Sequence, residues 1–264
     1  VENMKVTILA SGSKGNCTLI ETDQSKILID VGISYRLLNT RLKEVNVSLN
    51  DIDAIFITHE HTDHVQGLEK VLTHHNIYVA LSHGTYEALV SDKKIGITYE
   101  HFNIIEPLEE VYLNDISILP IPLSHDANEP FGYVIKENNK KVVYLTDTGF
   151  VSQENEEYIK DADVYIFETN HNIEMLMMTK RPWSLIQRII GDKGHLCNED
   201  ALNTLMRVVG KNTKVIYLAH ISEEANNVDL LYLTVEEIFS KSEFYHSIKF
   251  IATHQYQITE PTII

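Results

Sequence analysis

The chain has 264 residues, 44% hydrophobic and 23% charged, so it is long enough for a sizeable buried core and has none of the compositional bias that keeps chains disordered. With 22 Lys and Arg against 38 Asp and Glu, its formal charge of −16 has the wrong sign for gripping nucleic acid by bulk electrostatics, so any polyanion must be held locally. Its longest apolar runs, such as Ala54 to Ile57 and Val215 to Ala219, fall far short of the roughly 18–20 residues that cross a bilayer. Val1 to Leu9 carries no secretory signature, and a cytoplasmic protein without membrane contact is expected. Val1 to Asn3 precede a Met and are set apart from the fold as extraneous residues. Cys17 and Cys197 build no disulfide framework and are expected as buried thiols.

In chain order, Lys5 to Ala10, Cys17 to Glu21 and Lys26 to Asp30 are short Val, Ile and Leu-rich runs separated by turn residues, which predicts strands. Ile33 to Val45 reads as a helix, Ala54 to Thr58 as a strand, Val65 to Thr73 as a helix, Ile77 to Ala80 as a strand and Ser82 to Leu89 as a helix. Closely spaced strands follow at Val111 to Leu113, Ile116 to Leu123, Phe131 to Lys136 and Lys141 to Leu145, with Asn138-Asn139 as a tight-turn signal. Val164 to Phe167 and Val215 to Ala219 are continuous apolar strands, and helical patterns occupy Trp183 to Ile190, Asp200 to Val209 and Val228 to Lys241. The alternation is that of an α/β protein, and without repeats or linker-like stretches a single domain over 1–264 is expected.

Thirteen histidines are many for this length, and four metal-ligand side chains crowd one turn: His59, His61, Asp63 and His64, between an apolar strand and a helix. Alternation in the extended part points His59 and His61 the same way, whereas Asp63 and His64 fall past the bend toward a second point, so two metal positions follow. Four side chains cannot close two sites. His125, Asp147 and His220 each sit directly after an apolar strand run, as His59 does, and are expected along one sheet edge with it.

This series, His59-x-His61-x-Asp63-His64 followed by His125, Asp147 and His220, resembles the ligand pattern of the metallo-β-lactamase superfamily across the whole chain. The resemblance implies a four-layer αβ/βα sandwich with two divalent ions, Zn or Mn and with Fe compatible, at its edge. It implies that His59, His61 and His125 hold one ion, that Asp63, His64 and His220 hold the other, and that Asp147 bridges them. Leu9-Ala10-Ser11-Gly12-Ser13-Lys14-Gly15-Asn16, Phe167-Glu168-Thr169-Asn170-His171 and Gly194-His195-Leu196-Cys197-Asn198-Glu199-Asp200-Ala201 bring the chain closer to the YycJ or WalJ branch of bacterial exonucleases. By that resemblance it is a 5′ exonuclease on DNA, acting through a metal-bridging hydroxide that Asp63 helps to orient.

Such a centre also cleaves thioesters, lactams and lactones, so neighbouring residues must choose the substrate. His195 lies in a Gly-His turn and Glu168 ends a buried strand. A contact between them would keep an imidazolium ready to protonate a departing alkoxide, which a phosphodiester needs more than an activated thioester does. Similar segments occur in the tRNase Z branch. Candidate substrate contacts are the Ser11 to Asn16 loop, with Ser13 and Asn16, whose amides could meet a phosphate; His171; and the basic stretch Lys180, Arg181, Arg188 with Trp183. The alternatives are a turn, a loop histidine and a solvated helix. His74, His75, His83, His101, His246 and His254 show no ligand spacing and are assigned to solvent or packing. The competing functions are a glyoxalase II or lactonase-type hydrolase, which the acidic surface favours, and a non-catalytic metal-stabilised binding protein. No obligate protein partner is evident.

Overall fold

Short turns join the first three strands, so they pair as neighbours. β1 (Lys5–Ala10), β2 (Cys17–Glu21) and β3 (Lys26–Ile29) run antiparallel, with Val6 opposite Ile20 and Thr18 opposite Ile29. The computed structural model describes residues 3–91 and 102–264, which leaves His101 outside the described residues. The chain divides into two compact units, Val1–Pro122 with Ala127–Asn139 and His254–Ile264, and Leu123–Asp126 with Lys140–Thr253.

In the first unit, α1 (Tyr35–Glu44) carries the chain from β3 to a parallel β4 (Ala54–Phe56). α2 (Thr62–Val65) and α3 (Leu68–His74) carry it to β5 (Tyr78–Leu81), and α4 (His83–Ser91) precedes β6 (Phe102–Ile104). Parallel neighbours need such crossovers. The Ser34 hydroxyl accepts from the Leu37 amide and starts α1. Leu38 and Leu42 of α1 and Leu68 and Val71 of α3 join Leu19, Leu28, Ile55 and Val79 of the sheet in one buried cluster, each side chain contributing about 1.5–3 kcal/mol. β7 (Val111–Leu113), β8 (Ile116–Pro122) and β9 (Phe131–Glu137) form an antiparallel meander. Its first turn is tied down by the Asp115 carboxylate, which accepts from the Thr22 and Ser25 hydroxyls.

The second unit is parallel throughout: β10 (Lys140–Leu145), β11 (Val164–Glu168), β12 (Val215–Ala219) and β13 (Lys249–Ala252). β11 and β12 are buried along their whole length, which explains their unbroken apolar sequence. The crossovers are α5 (Gln153–Ile159), then α6 (Ile173–Met177), α7 (Trp183–Ile190) and α8 (Asn198–Val208), then α9 (Val228–Phe239). The buried Tyr165 hydroxyl donates to Ile159 O and lies 3.0 Å from Val208 O, fastening the ends of α5 and α8. Parallel strands send their carboxyl ends to one edge, where ligand sites of open α/β sheets gather.

Several elements differ from the sequence reading. In place of the one helix expected over Val65 to Thr73, α2 begins at Thr62 and ends at Val65 and α3 starts at Leu68, so Asp63 and His64 are helical residues. The strand expected to include Asp30 stops at Ile29, and Asp30 turns left-handed at φ 62°. α5, α6, β6, β13 and β14 (Thr262–Ile263), the last antiparallel to β1, were not anticipated. Cys17 and Cys197 are buried free thiols. No helix among the described residues is long and apolar enough to cross a membrane.

Candidate metal centre

In the first unit the strand β4 delivers the histidine-rich turn. Phe131 N–H donates to Thr58 O at 2.9 Å, and the buried Tyr133 hydroxyl donates to Ile57 O at 2.5 Å, which fixes the strand exit. His59 Nε2 and His61 Nδ1 face each other at 3.0 Å, near enough for one ion with about 2.0–2.1 Å bonds to each. His64 directs Nδ1 at the Asp30 carboxylate, 2.7 Å away, and so turns Nε2 toward Asp63, whose Oδ2 is 3.5 Å off. Asp30 also accepts from the Thr58 amide at 2.8 Å and its hydroxyl at 2.9 Å. Asn16 braces the same corner, its amide N–H donating to Asp63 O at 2.8 Å and its carboxamide lying 3.2 Å from His64 Nε2. The corner admits no side chain at Gly32, where a Cβ would lie 1.6 Å from Asp63 O.

In the second unit the strand ends converge. Asp147, after β10, and His220, after β12, both take left-handed backbone, φ 59° and 54°, a conformation uncommon outside glycine that turns their side chains off the strand line. Asp147, Glu168, His195 and His220 each offer a ligand atom within 4.8 Å of the others. Asp147 Oδ1 is 3.8 Å from His125 Nε2. His125 points Nδ1 at Gly194 O, 3.1 Å away, which aims Nε2 at that carboxylate.

Glu168 is the hub. Its Oε1 lies 2.8 Å from His195 Nδ1 and 2.9 Å from His220 Nδ1, and its Oε2 accepts from the amides of Thr148 and Leu196, both at 3.1 Å. All four acceptor positions of a carboxylate are thereby used. Burial opposes this charge, but the His195 cation and the imidazole hydrogen bonds outweigh it and hold the carboxyl below its usual range. Burial also works against a charged His195, yet the Glu168 carboxylate and Asp147 prevail and its pKa is raised. His125 goes the other way, lowered by burial and then by the His195 charge, so it is the neutral imidazole that ligation needs. His195 is positioned by its amide, which donates to Ile189 O at 2.8 Å as the Gly191–Gly194 turn folds back on α7.

The candidate substrate contacts are placed less uniformly. Ser13 is exposed, but the loop offers no cradle of amides: those of Ser11, Gly12, Lys14, Gly15 and Asn16 are given to protein acceptors, and Asn16 is buried. His171 is buried in a bridge to Cys197, and its pKa falls to about 4, through burial first. Lys180 is exposed, Arg181 pairs with Glu224 at 2.8 Å and Arg188 pairs with Asp126. Trp183 is 58% exposed. Asp30 was missed, although it occupies the slot after an apolar strand that marked the other sites.

A family model described as a beta-lactamase superfamily domain matches residues 25–221. The chain belongs to the beta-lactamase superfamily. Among superfamily relatives, the exodeoxyribonuclease YycJ of Bacillus anthracis is 37% identical over 239 residues, 90% of each chain. The exodeoxyribonuclease WalJ of Streptococcus pneumoniae is 38% identical, over 88% of this chain and 86% of its own. The metallo-beta-lactamase fold protein YhfI of Bacillus subtilis superposes with a TM-score of 0.72 at 14% identity, over 98% of this chain and 99% of its own. The fold is the α/β sandwich of that superfamily, and the chain is one of its metal-dependent hydrolases. Its donor set fits a divalent ion: His64, His125 and His220 each engage Nδ1 with a carboxylate or carbonyl, as metal-bound histidines do, and direct Nε2 away from it.

Proposed function

We propose that the chain is a two-metal phosphodiesterase that digests DNA from its 5′ ends, as one cytoplasmic catalytic domain spanning 1–264. His59, His61 and His125 would hold one ion and Asp63, His64 and His220 the other, with Asp147 shared between them. Zn or Mn suits this set of imidazoles and carboxylates. When bound, the two ions supply Lewis acidity at the phosphoryl oxygens and an acidified water. The names of the YycJ and WalJ relatives support the DNA substrate.

The observation that carries the reading is the Glu168–His195 pair at 2.8 Å. Nδ1–H donates to Glu168, so the Nε2 proton is the one available to the departing alkoxide of a phosphodiester, whose high pKa makes protonation worth about 10²–10⁴ in rate. A thioester's sulfur leaves without such help. Asp63, besides serving as a ligand, would accept a hydrogen bond from the attacking water and so orient it. Asp30 and Asn16 hold His64 and Asp63 in place from behind.

The charge of −16 favours a second reading, a small-molecule thioester or lactone hydrolase. End-labelled DNA duplexes, an acyl-glutathione thioester and an aryl phosphodiester, each with Mn and with Zn, separate the two. Mononucleotides released progressively from the 5′ end are expected. Thioester turnover with intact DNA would overturn the nuclease.

A further inference from the structure

A chain this acidic needs discrete contacts to retain a polyanion. Within the first unit, the loop before β2 is fastened to the C-terminal segment. Gln255 grips the loop from both sides, accepting from the Lys14 amide at 2.8 Å and donating to Gly15 O at 2.9 Å. The next residue, Tyr256, brings its hydroxyl to 2.5 Å from Lys14 Nζ, and the ammonium lies 5.3 Å from the ring centroid. Tyr256 is 62% exposed, so this fastened ring keeps most of its surface in solvent. Two residues further along the loop, at most about 7 Å of chain, Asn16 bonds Asp63 O in the histidine-rich turn.

We infer that Lys14 and Tyr256 form a nucleotide subsite beside the His59–His64 turn, the ring stacking on a base and the ammonium taking the adjoining phosphate. The inference rests on the nuclease reading and deepens it. It also shifts the role of the Ser11 to Asn16 loop from backbone amides, which are committed to protein acceptors, to side chains. An aromatic face accepts any base, and the stack contributes sequence-tolerant affinity of the kind a processive exonuclease needs. Gln255 removes loop freedom before binding, so less ordering entropy is lost when the strand arrives.

The test is fluorescence anisotropy of dye-labelled, phosphorothioate-protected single-stranded and duplex oligonucleotides on the metal-loaded full chain, across a salt series, followed by KM and kcat on unmodified DNA. Tyr256→Ala should weaken binding about tenfold and raise KM rather than lower kcat, whereas Tyr256→Phe, which keeps the ring, should stay within about twofold of wild type. Lys14→Gln should weaken binding and lower the salt slope by about one. Tyr112→Ala, at an exposed tyrosine on β7, serves as the control. Unchanged binding by Tyr256→Ala, or equal losses for Ala and Phe, overturns the subsite alone if the wild type still cuts DNA. A fall in melting temperature that tracks the loss of binding also overturns it, as fastening only. A wild type that neither binds nor cuts DNA overturns the nuclease reading and the subsite with it.

Discussion

The Oε1 atom of Glu168 lies 2.8 Å from Nδ1 of His195, and that oxygen belongs to a fully buried carboxylate with four hydrogen bonds. A carboxylate so satisfied stays ionised, and an ionised Glu168 favours the imidazolium at its side. The direction of the His195 shift therefore sets the direction of a pH profile. Its pKa is raised above the ordinary value of 6.5, so the acid form is present below the raised pKa and is lost as pH climbs through it.

On a phosphodiester with a poor leaving group, kcat should accordingly show an alkaline limb above pH 6.5, and His195→Ala should abolish that limb and lower the plateau about 10²–10⁴-fold. On an aryl diester, whose phenolate leaves unaided, the loss should be under about tenfold. Metal content is measured in parallel. Equal losses on both substrates with both ions retained would assign His195 a role other than proton donation.

Asp30 makes the same kind of bond to His64, at 2.7 Å, from a fully buried position. Such a partner fixes the ring's tautomer and orientation, and removing it typically costs 10–100-fold in metal affinity. Asp30→Ala should lower the affinity for the ion that His64 would hold by about that factor in a competition titration with a chromophoric chelator. An unchanged titration would reduce Asp30 to a packing role.

Much of this was legible in the primary structure because the ligand-type residues follow apolar strands directly. His59, Asp147 and His220 all stand one to three residues past runs that read as buried strands, and the folded chain puts Asp147 and His220 past the carboxyl ends of β10 and β12, the two strands that flank β11 in parallel. What escaped was decided by tertiary contacts. Asp30 reads as the last residue of a strand, since nothing local shows that its carboxylate will receive Thr58 and His64 from farther along the chain. Asn16 reads as a phosphate-loop residue, and only the fold reveals that Asp63 claims its amide. β14 is two residues long and β13 is half-exposed, so neither offers the periodicity that marks longer strands.

Removing the ions should destabilise the fold, because they bind the native arrangement and not the unfolded chain. Saturation at 100 times the dissociation constant is worth about 2.7 kcal/mol per ion, and a chain of this size loses about 2–4 °C per kcal/mol. Dialysis against EDTA should lower the melting temperature by about 10–20 °C, with recovery on adding Zn or Mn, and elemental analysis of the loaded protein should return two ions per chain. One ion per chain at saturation would remove the dinuclear centre.

The basic stretch around α7 is a weaker grip than its composition suggests. Arg181 is engaged by Glu224 and Arg188 by Asp126, so a phosphate must compete with a carboxylate already in place at each. Exposed ion pairs are worth only about 0–1 kcal/mol, which a phosphate can displace at small cost. The double variant Arg181→Ala with Arg188→Ala should therefore weaken DNA binding by less than two full phosphate contacts would, lowering the slope of log K against log salt by about one to two. Glu224→Gln with Asp126→Asn, which releases both guanidinium groups, should act in the opposite sense and tighten binding at low salt. Binding curves of both double variants that overlay the wild type at every salt concentration would exclude this face from the DNA path.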